Sequence, residues 1–273
     1  MSKQKANSLP WEPGNTIRFD GVCKSFGRKT PFADHSKMIL KGVDFALNKG
    51  EIICLLGPSG CGKTTMVNLI IGKMLPSAGT VQVMGERAPY AATRPRMGYM
   101  PQEDALYIDI TAIENLYFFG RMNGMKAGAV REKAAELLEF GRLTDDAKKM
   151  VVDFSGGMKK RLSLCTAMMH DPDLLILDEP TVGLDPGHRR RIWNEFEEMA
   201  SRGKTILVTT HVMDEAMRCS QVALLFDGRI IEKGSPQEIL ERTGCDDLES
   251  AFIKLGAEFD AVPAAGEGGE GNE

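Results

Sequence analysis

A chain of 273 residues, 42% hydrophobic and 26% charged, has the composition of an ordinary soluble globular protein and the length for a substantial core. Its formal net charge is -4, but the last seventeen residues hold five acids (Glu258, Asp260, Glu267, Glu270, Glu273) and no Lys or Arg. The remainder is therefore near neutral, which argues against bulk electrostatic binding to nucleic acid or to an anionic membrane surface.

Six scattered cysteines form no C-x-x-C pair and no Cys/His cluster at zinc spacing, so free thiols in a reducing compartment are expected. The opening "MSKQKANSLPWEPGN" has no apolar signal core. No apolar run approaches the roughly 18–20 residues of a membrane-spanning helix, so any work at a membrane is expected to go through another protein.

In chain order, residues 1–15 read as a flexible polar leader with Pro10 and Pro13. Short strand-like runs follow, "TIRFDGV", "GVDFALN" and "EIICLL". "TTMVNLIIGKM" has helical spacing at Met66, Leu69, Ile70 and Met74. "GTVQVMG" and "RMGYMPQ" predict further strands. Between about 111 and 170 the runs "TAIENLYFFGRMNGM", "AGAVREKAAELLEFGRL" and "GMKKRLSLCTAMMH" are all helix-like and predict a helical insert. "DLLILDEP" is a buried-strand run ending in two acids, "HRRRIWNEFEEMASRG" a helix closed by Gly203, and "KTILVTTH" another strand. "QVALLFDGRIIEKG" predicts a hairpin about Asp227-Gly228. Strands alternating with helices imply an α/β fold with a mainly parallel sheet covered on both faces. Residues 257–273, rich in Gly, Glu and Ala, are expected to be a disordered acidic tail.

The chemistry concentrates in "GPSGCGKTT", which fits G-x4-G-K-[ST] between a predicted strand and a predicted helix. Gly57, Gly60 and Gly62 let the backbone curl so that N–H groups point inward at phosphate oxygens. Lys63 reaches the β/γ-phosphates, Thr64 offers a hydroxyl to Mg2+, and the helix start adds its dipole. Pro58, Ser59, Cys61 and Thr65 complete the loop, with Cys61 read as a spacer. "LLILDEP" sets Asp178 and Glu179 at the C-terminal end of a buried strand, where open α/β sheets bind ligands. Asp178 suits Mg2+, which takes one or two carboxylates plus phosphate oxygens. Glu179, one residue on, points elsewhere and suits polarisation of an attacking water.

These residues, from about Ile17 to Leu255, resemble the ATP-binding domains of ABC transporters. "FSGGMKKR" resembles the family's signature motif, "MPQEDALY" its Q-loop, "TVGLDP" its D-loop, and "VTTHVMDEA" the segment of its switch histidine. The resemblance implies a P-loop NTPase fold over residues 16–256, with an antiparallel N-terminal part and the helical insert. It implies ATP and Mg2+ as ligands, a γ-phosphate contact for His211, and for Gln102 a Mg2+ or water contact and a link to a membrane partner. Phe26, in "CKSFG", stands where the family stacks an aromatic ring on adenine, although a lone aromatic also serves a core. Asp185 equally suits a helix cap beside Pro186, and Lys159–Arg161 reads most simply as a solvated helix face.

The resemblance further implies a head-to-tail dimer in which each ATP lies between one chain's phosphate loop and the signature of the other, through Ser155, Gly156 and Gly157. The second subunit is another ATPase chain, the same or different, and an integral-membrane permease completes the assembly at the cytoplasmic face of a membrane. Met158 and Phe154 depart from the family's usual Gln and Leu, and "RKTPFADHSKM" after Phe26 is longer than usual. "DDLESAFIKL" and the flanks of Gln102 and His211 are similar to ATPases of ABC-2-type exporters, and no regulatory domain is expected after that run. The alternative is a soluble ABC ATPase acting on a non-transport assembly. Such members usually carry two phosphate loops or a long coiled-coil insert, and neither is present.

Overall fold

The first alternating runs pair with one another. In the computed structural model, which describes residues 14–27, 29–30, 33–34, 36–103 and 105–261, β1 (Asn15–Phe26) is followed by the two-residue strands β2 (Lys29–Thr30) and β3 (Ala33–Asp34) and then by β4 (Lys37–Asn48). β1 and β4 are antiparallel, with Phe19 opposite Phe45 and their rings edge to face at 5.9 Å. The long connection "RKTPFADHSKM" is thus partly taken up by the β2–β3 ladder.

β5 (Ile52–Leu56) leads through the phosphate loop into α1 (Lys63–Ile70). β6 (Ala78–Val83) and β7 (Glu86–Arg87) then complete an antiparallel sheet of order β4-β1-β6-β7. The α1 helix is shorter than its apolar spacing predicts. Its last turn closes on itself, with Gly72 N donating to Leu69 O at 3.2 Å and Lys73 N to Asn68 O at 2.9 Å, and Met74 packs against the core from beyond the helix.

After β8 (Met97–Met100) come three helices, α2 (Ala112–Met122), α3 (Ala127–Phe140) and α4 (Gly156–Met168), which form the expected insert. A capping box of Thr111 and Glu114 opens α2. The chain continues through β9 (Leu174–Asp178), α5 (Pro186–Ser201), β10 (Thr205–Thr210), α6 (Met213–Ala216), β11 (Gln221–Phe226) and β12 (Arg229–Gly234), ending in α7 (Pro236–Thr243) and α8 (Leu248–Ala261). The central sheet has the order β12-β11-β5-β10-β9-β8. Its pairs are parallel except β11–β12, which turn through Asp227 (φ 41°) and Gly228 (φ 75°) as the Asp-Gly pair predicts.

The unbroken apolar runs of β5, β9 and β10 follow from burial on both faces. Ile52, Cys54 and Leu56 of β5 face one core with Leu175, Leu177, Leu164 of α4 and Trp193 of α5. Ile53 and Leu55 face a second core with Phe19, Phe45 and Met66. The sheet is thereby clamped between the antiparallel sheet with α1 and the helical side. This holds the C-terminal ends of β5, β9 and β10 on a rigid rim.

Two expectations are corrected. Residues 257–261, expected to belong to the tail, instead continue α8, which runs to Ala261 and places the Phe259 ring 6.1 Å from that of Phe226. Residues 1–13 and 262–273, which hold most of the predicted leader and tail, lie outside the described residues, whereas Asn15 already belongs to β1. All six cysteines are free. Among the described residues no helix is long and apolar enough to cross a membrane.

Candidate functional site

The phosphate loop is shaped by close backbone approach. Leu225 O of β11 would stand 2.3 Å from a Cβ on Gly57, so only glycine fits between β5 and β11 there. Gly60 (φ 82°) and Gly62 (φ 117°) are left-handed, and Gly62 ends the loop as the N-cap of α1. No acid occupies the first turn of α1, so its N–H groups and dipole face the loop uncompensated. The Lys63 ammonium spans the loop, donating to Gly57 O at 2.6 Å and Pro58 O at 3.0 Å. Burial pushes the Cys61 thiol above its ordinary value, in keeping with a packed spacer.

Across from the loop, β9 delivers Asp178, 3% exposed. Burial, and then the neighbouring Glu179 charge, raise its pKa, while a short hydrogen bond from the Thr209 hydroxyl opposes the rise. At Glu179 the backbone turns left-handed (φ 52°), directing its side chain away from that of Asp178. The Glu179 N–H is held by Thr209 O at 3.0 Å and Thr209 Oγ1 at 3.2 Å. The carboxylate itself collects two residues singled out for other contacts, His211 Nδ1 at 3.0 Å from Oε1 and Gln102 Nε2 at 3.3 Å from Oε2.

A cleft of about 480 Å3 joins the two sides. Ser59, Gly60, Gly62, Lys63, Thr64 and Thr65 line it with Gln102, Asp178 and Glu179, and Phe26 and Ile39 add an apolar wall. The Phe26 ring is 43% exposed, with the Lys24 ammonium 5.2 Å from its centroid. It is thus an open ring beside a phosphate-type loop rather than a core residue. A cleft with a cationic donor, a helix start and two acids at its far side can hold a polyphosphate and set an acid beside it.

Ser155, Gly156, Gly157 and Asp185 are not among the residues lining this cleft. Ser155 caps α4, accepting from Met158 N at 3.3 Å. A Cβ on Gly156 would meet nothing within 4 Å, and one on Gly157 only Leu184 Cδ2 at 3.7 Å, so this helix start is unobstructed. Met158 packs on the core from its half-buried position. Asp185 does cap α5, through Gly187 N at 3.0 Å and His188 N at 3.1 Å. Its other oxygen meets His188 Nδ1, the main cause of a carboxyl pKa of about 2.

The solvated-face expectation for Lys159–Arg161 is corrected. All three are half-buried. Arg161 ties α4 to the end of α3 by donating to Gly141 O at 2.5 Å and Arg142 O at 3.1 Å, and Lys160 donates to Gln102 O at 3.3 Å. Thr209, which serves both acids, was not singled out from the sequence. Nothing marks it in the sequence, since β10 reads "TILVTT" and Thr209 is one of three threonines in it.

The profile of the family described as "ABC transporter" matches residues 40–182. A Nod factor export ATP-binding protein I of Paraburkholderia xenovorans (strain LB400) is 44% identical over 241 residues, covering 87% of this chain and 77% of that one. A protein of the same name from Rhizobium sp. (strain N33) is 42% identical over 237 residues, covering 85% and 75%. Among solved structures, an ATP-binding subunit of an ABC transporter superposes with a TM-score of 0.79 at 27% identity, over 88% of this chain and 99% of that one. An ATP-binding cassette seen as a post-hydrolysis dimer bound to ADP and Pi superposes with a TM-score of 0.74 at 25% identity, over 80% and 98%. With a family match over half its length and relatives aligned along most of it, the chain belongs to the ABC transporter family, as an ATP-binding and ATP-hydrolysing subunit.

Proposed function

We propose that this chain powers export of a substrate across a membrane, hydrolysing ATP in the cleft between the phosphate loop and Glu179. The observation that carries the chemical part is the Glu179 carboxylate held between His211 Nδ1 and Gln102 Nε2 at the edge of that cleft. Export is supported by the likeness to the two Nod factor export ATP-binding proteins.

In this reading the backbone N–H groups of Ser59 to Thr65 and the Lys63 ammonium bind the β- and γ-phosphates, and Phe26 stacks on adenine. Lys63 exchanges its loop carbonyl acceptors for phosphate oxygens. Glu179 is the general base, accepting a proton from the attacking water, and His211 contacts the γ-phosphate and orients Glu179. Phosphoryl transfer needs such positioning and charge stabilisation more than covalent help.

A divalent cation fits the donor set. Asp178 is a buried carboxylate whose pKa is raised partly by a neighbouring acid, a pairing that a cation relieves. Mg2+ takes one or two carboxylates plus phosphate oxygens, and Asp178 lines the same cleft as the phosphate loop. Thr64, Asp178 and Gln102 are the groups that would hold it, and bound there it would neutralise charge on the phosphates.

The unobstructed α4 start at Ser155, Gly156 and Gly157, outside the chain's own cleft, suits the phosphates of an ATP bound by a second subunit in a head-to-tail dimer with two shared sites. Asp185 belongs to that same interface. The chain then acts at the cytoplasmic face of a membrane through a separate integral-membrane permease.

Replacing Glu179 by Gln tests the reading. ATP binding is expected to persist, turnover to fall about 10^2–10^4-fold, and an ATP-bound dimer to accumulate on gel filtration. Wild-type turnover in that variant removes Glu179 as the base. Affinity purification of the full chain from detergent-solubilised membranes is expected to bring down a multi-span permease, and recovery with a soluble assembly instead rejects export.

A further inference from the structure

Glu215 is 2% exposed in the short helix α6, and the reading above gives it no task. Burying a carboxylate is costly unless it is well paired. Here Oε1 accepts a short hydrogen bond from the Thr181 hydroxyl and lies 3.6 Å from Arg189 Nε, while Oε2 accepts from Thr210 Oγ1 at 2.8 Å.

The two hydroxyl partners come from the two turns that carry the candidate base and the candidate histidine. Thr181 lies two residues beyond Glu179, and Arg189 stands in α5 just past Asp185. Thr210 immediately precedes His211, and its hydroxyl also accepts from Val212 N at 3.0 Å. One hydroxyl held by Glu215 therefore pins the backbone on both sides of His211. The His211 side chain is itself 57% exposed, so packing does little to orient it and the turn must do so.

We infer that Glu215 is a positioning residue for ATP hydrolysis, a buried carboxylate that locks the His211 turn to the Glu179 turn and so sets the His211–Glu179 contact. Glu215 is not among the residues lining the nucleotide cleft and both its oxygens are taken by Thr181, Arg189 and Thr210, so Glu215 acts through His211. The inference rests on the role proposed above for His211. It extends that role by naming what holds the imidazole in place.

The test uses the full chain and compares Glu215→Gln, Thr181→Val, His211→Ala and the double variant Glu215→Gln/His211→Ala. Steady-state kcat and KM for ATP, affinity for a fluorescent ATP analogue, and melting temperature are measured on each. Glu215→Gln and Thr181→Val are expected to lower kcat about tenfold, with KM and analogue affinity within about twofold, because the phosphate loop is untouched. The double variant is expected to lose no more than His211→Ala alone, since a positioning residue has nothing left to position. A merely structural Glu215 predicts multiplicative losses, or a lowered melting temperature with unchanged kcat below it, and either result overturns the inference. Should Glu215→Gln fail to fold, Thr181→Val combined with His211→Ala carries the same comparison. If His211→Ala is lossy and the Glu215 and Thr181 variants are silent, the positioning role alone falls. If His211→Ala itself is silent, the proposed role of His211 falls and Glu215 with it.

Discussion

The hydroxyl of Thr209 donates to the buried carboxylate of Asp178, and the same oxygen accepts from the N–H of Glu179 at 3.2 Å. One strand residue of β10 thus holds both acids at the end of β9. Thr209→Val keeps the shape and removes both bonds, leaving Asp178 without that donor while Glu179 N keeps Thr209 O at 3.0 Å. A stability loss of about 1–3 kcal/mol is expected in denaturant unfolding, the cost of leaving a buried acceptor unsatisfied. Turnover is expected to fall about tenfold because the acids lose their register. A variant as stable and as active as wild type would show that the parallel pairing of β9 and β10 holds the acids unaided.

Asp185 gives a pH dependence whose sign follows from its depressed pKa of about 2, caused first by the His188 side chain and then by the His188 N–H. A carboxyl held below its ordinary value contributes stability that is present above that value and lost as pH falls through the folded pKa. Wild-type melting temperature should therefore drop between about pH 4 and 2 partly through this group. Asp185→Asn retains a capping side chain but cannot titrate, so its melting temperature is expected to start slightly lower near pH 6 and to fall less over that acid window. Parallel acid limbs for the two proteins reject the assignment.

How far the fold was legible depends on whether the determinant is local. The phosphate loop could be read because its glycines, Lys63 and Thr64 are contiguous and sit between an apolar run and a helical pattern. The apolar run of "DLLILDEP" implies a buried strand, and β9 is buried on both faces, while Asp227-Gly228 specifies its own turn. Thr209 and Glu215 could not be found this way. Their bonds join residues 31 and 34 positions apart, across neighbouring strands and turns whose adjacency exists only once β9 and β10 pair. Arg161 was misread for the same reason, since its acceptors lie at the end of another helix. Phe259 was assigned to the tail by composition, yet a single ring contact with Phe226 accompanies one further turn of α8.

Gly57 and Gly60 are both glycine for different reasons, and alanine separates them. At Gly57 a methyl group would meet Leu225 O at 2.3 Å and Cys61 Sγ at 2.7 Å, so β11 or the loop must shift. At Gly60 there is open space, but the backbone is left-handed (φ 82°). Gly57→Ala is expected to cost about 1–3 kcal/mol of stability through overpacking, and Gly60→Ala about 1–2 kcal/mol through backbone strain. Melting curves with and without ATP distinguish them. Gly57→Ala should destabilise the free protein more, because its clash involves a strand of the core sheet. The reverse order would mean that the loop, not the sheet, absorbs the clash.

The shared-site dimer makes a prediction that no single-chain site makes. In a twofold head-to-tail dimer each site pairs one chain's Lys63 with the other chain's Ser155. Lys63→Ala should weaken ATP binding by removing the loop's cation, and Ser155→Arg should fill the unobstructed α4 start without touching the chain's own cleft. Each variant alone is expected to be nearly inactive. A mixed dimer, however, regains one site with an intact Lys63 and an intact Ser155, while its other site carries both defects. With random pairing of equal amounts, half the dimers are mixed, so activity should recover to about a quarter of wild type if the sites act independently. Titrating one variant into the other should give a maximum near equal amounts. Dimers formed without any recovery would assign Ser155 to a role within its own chain and leave the α4 start without a nucleotide partner.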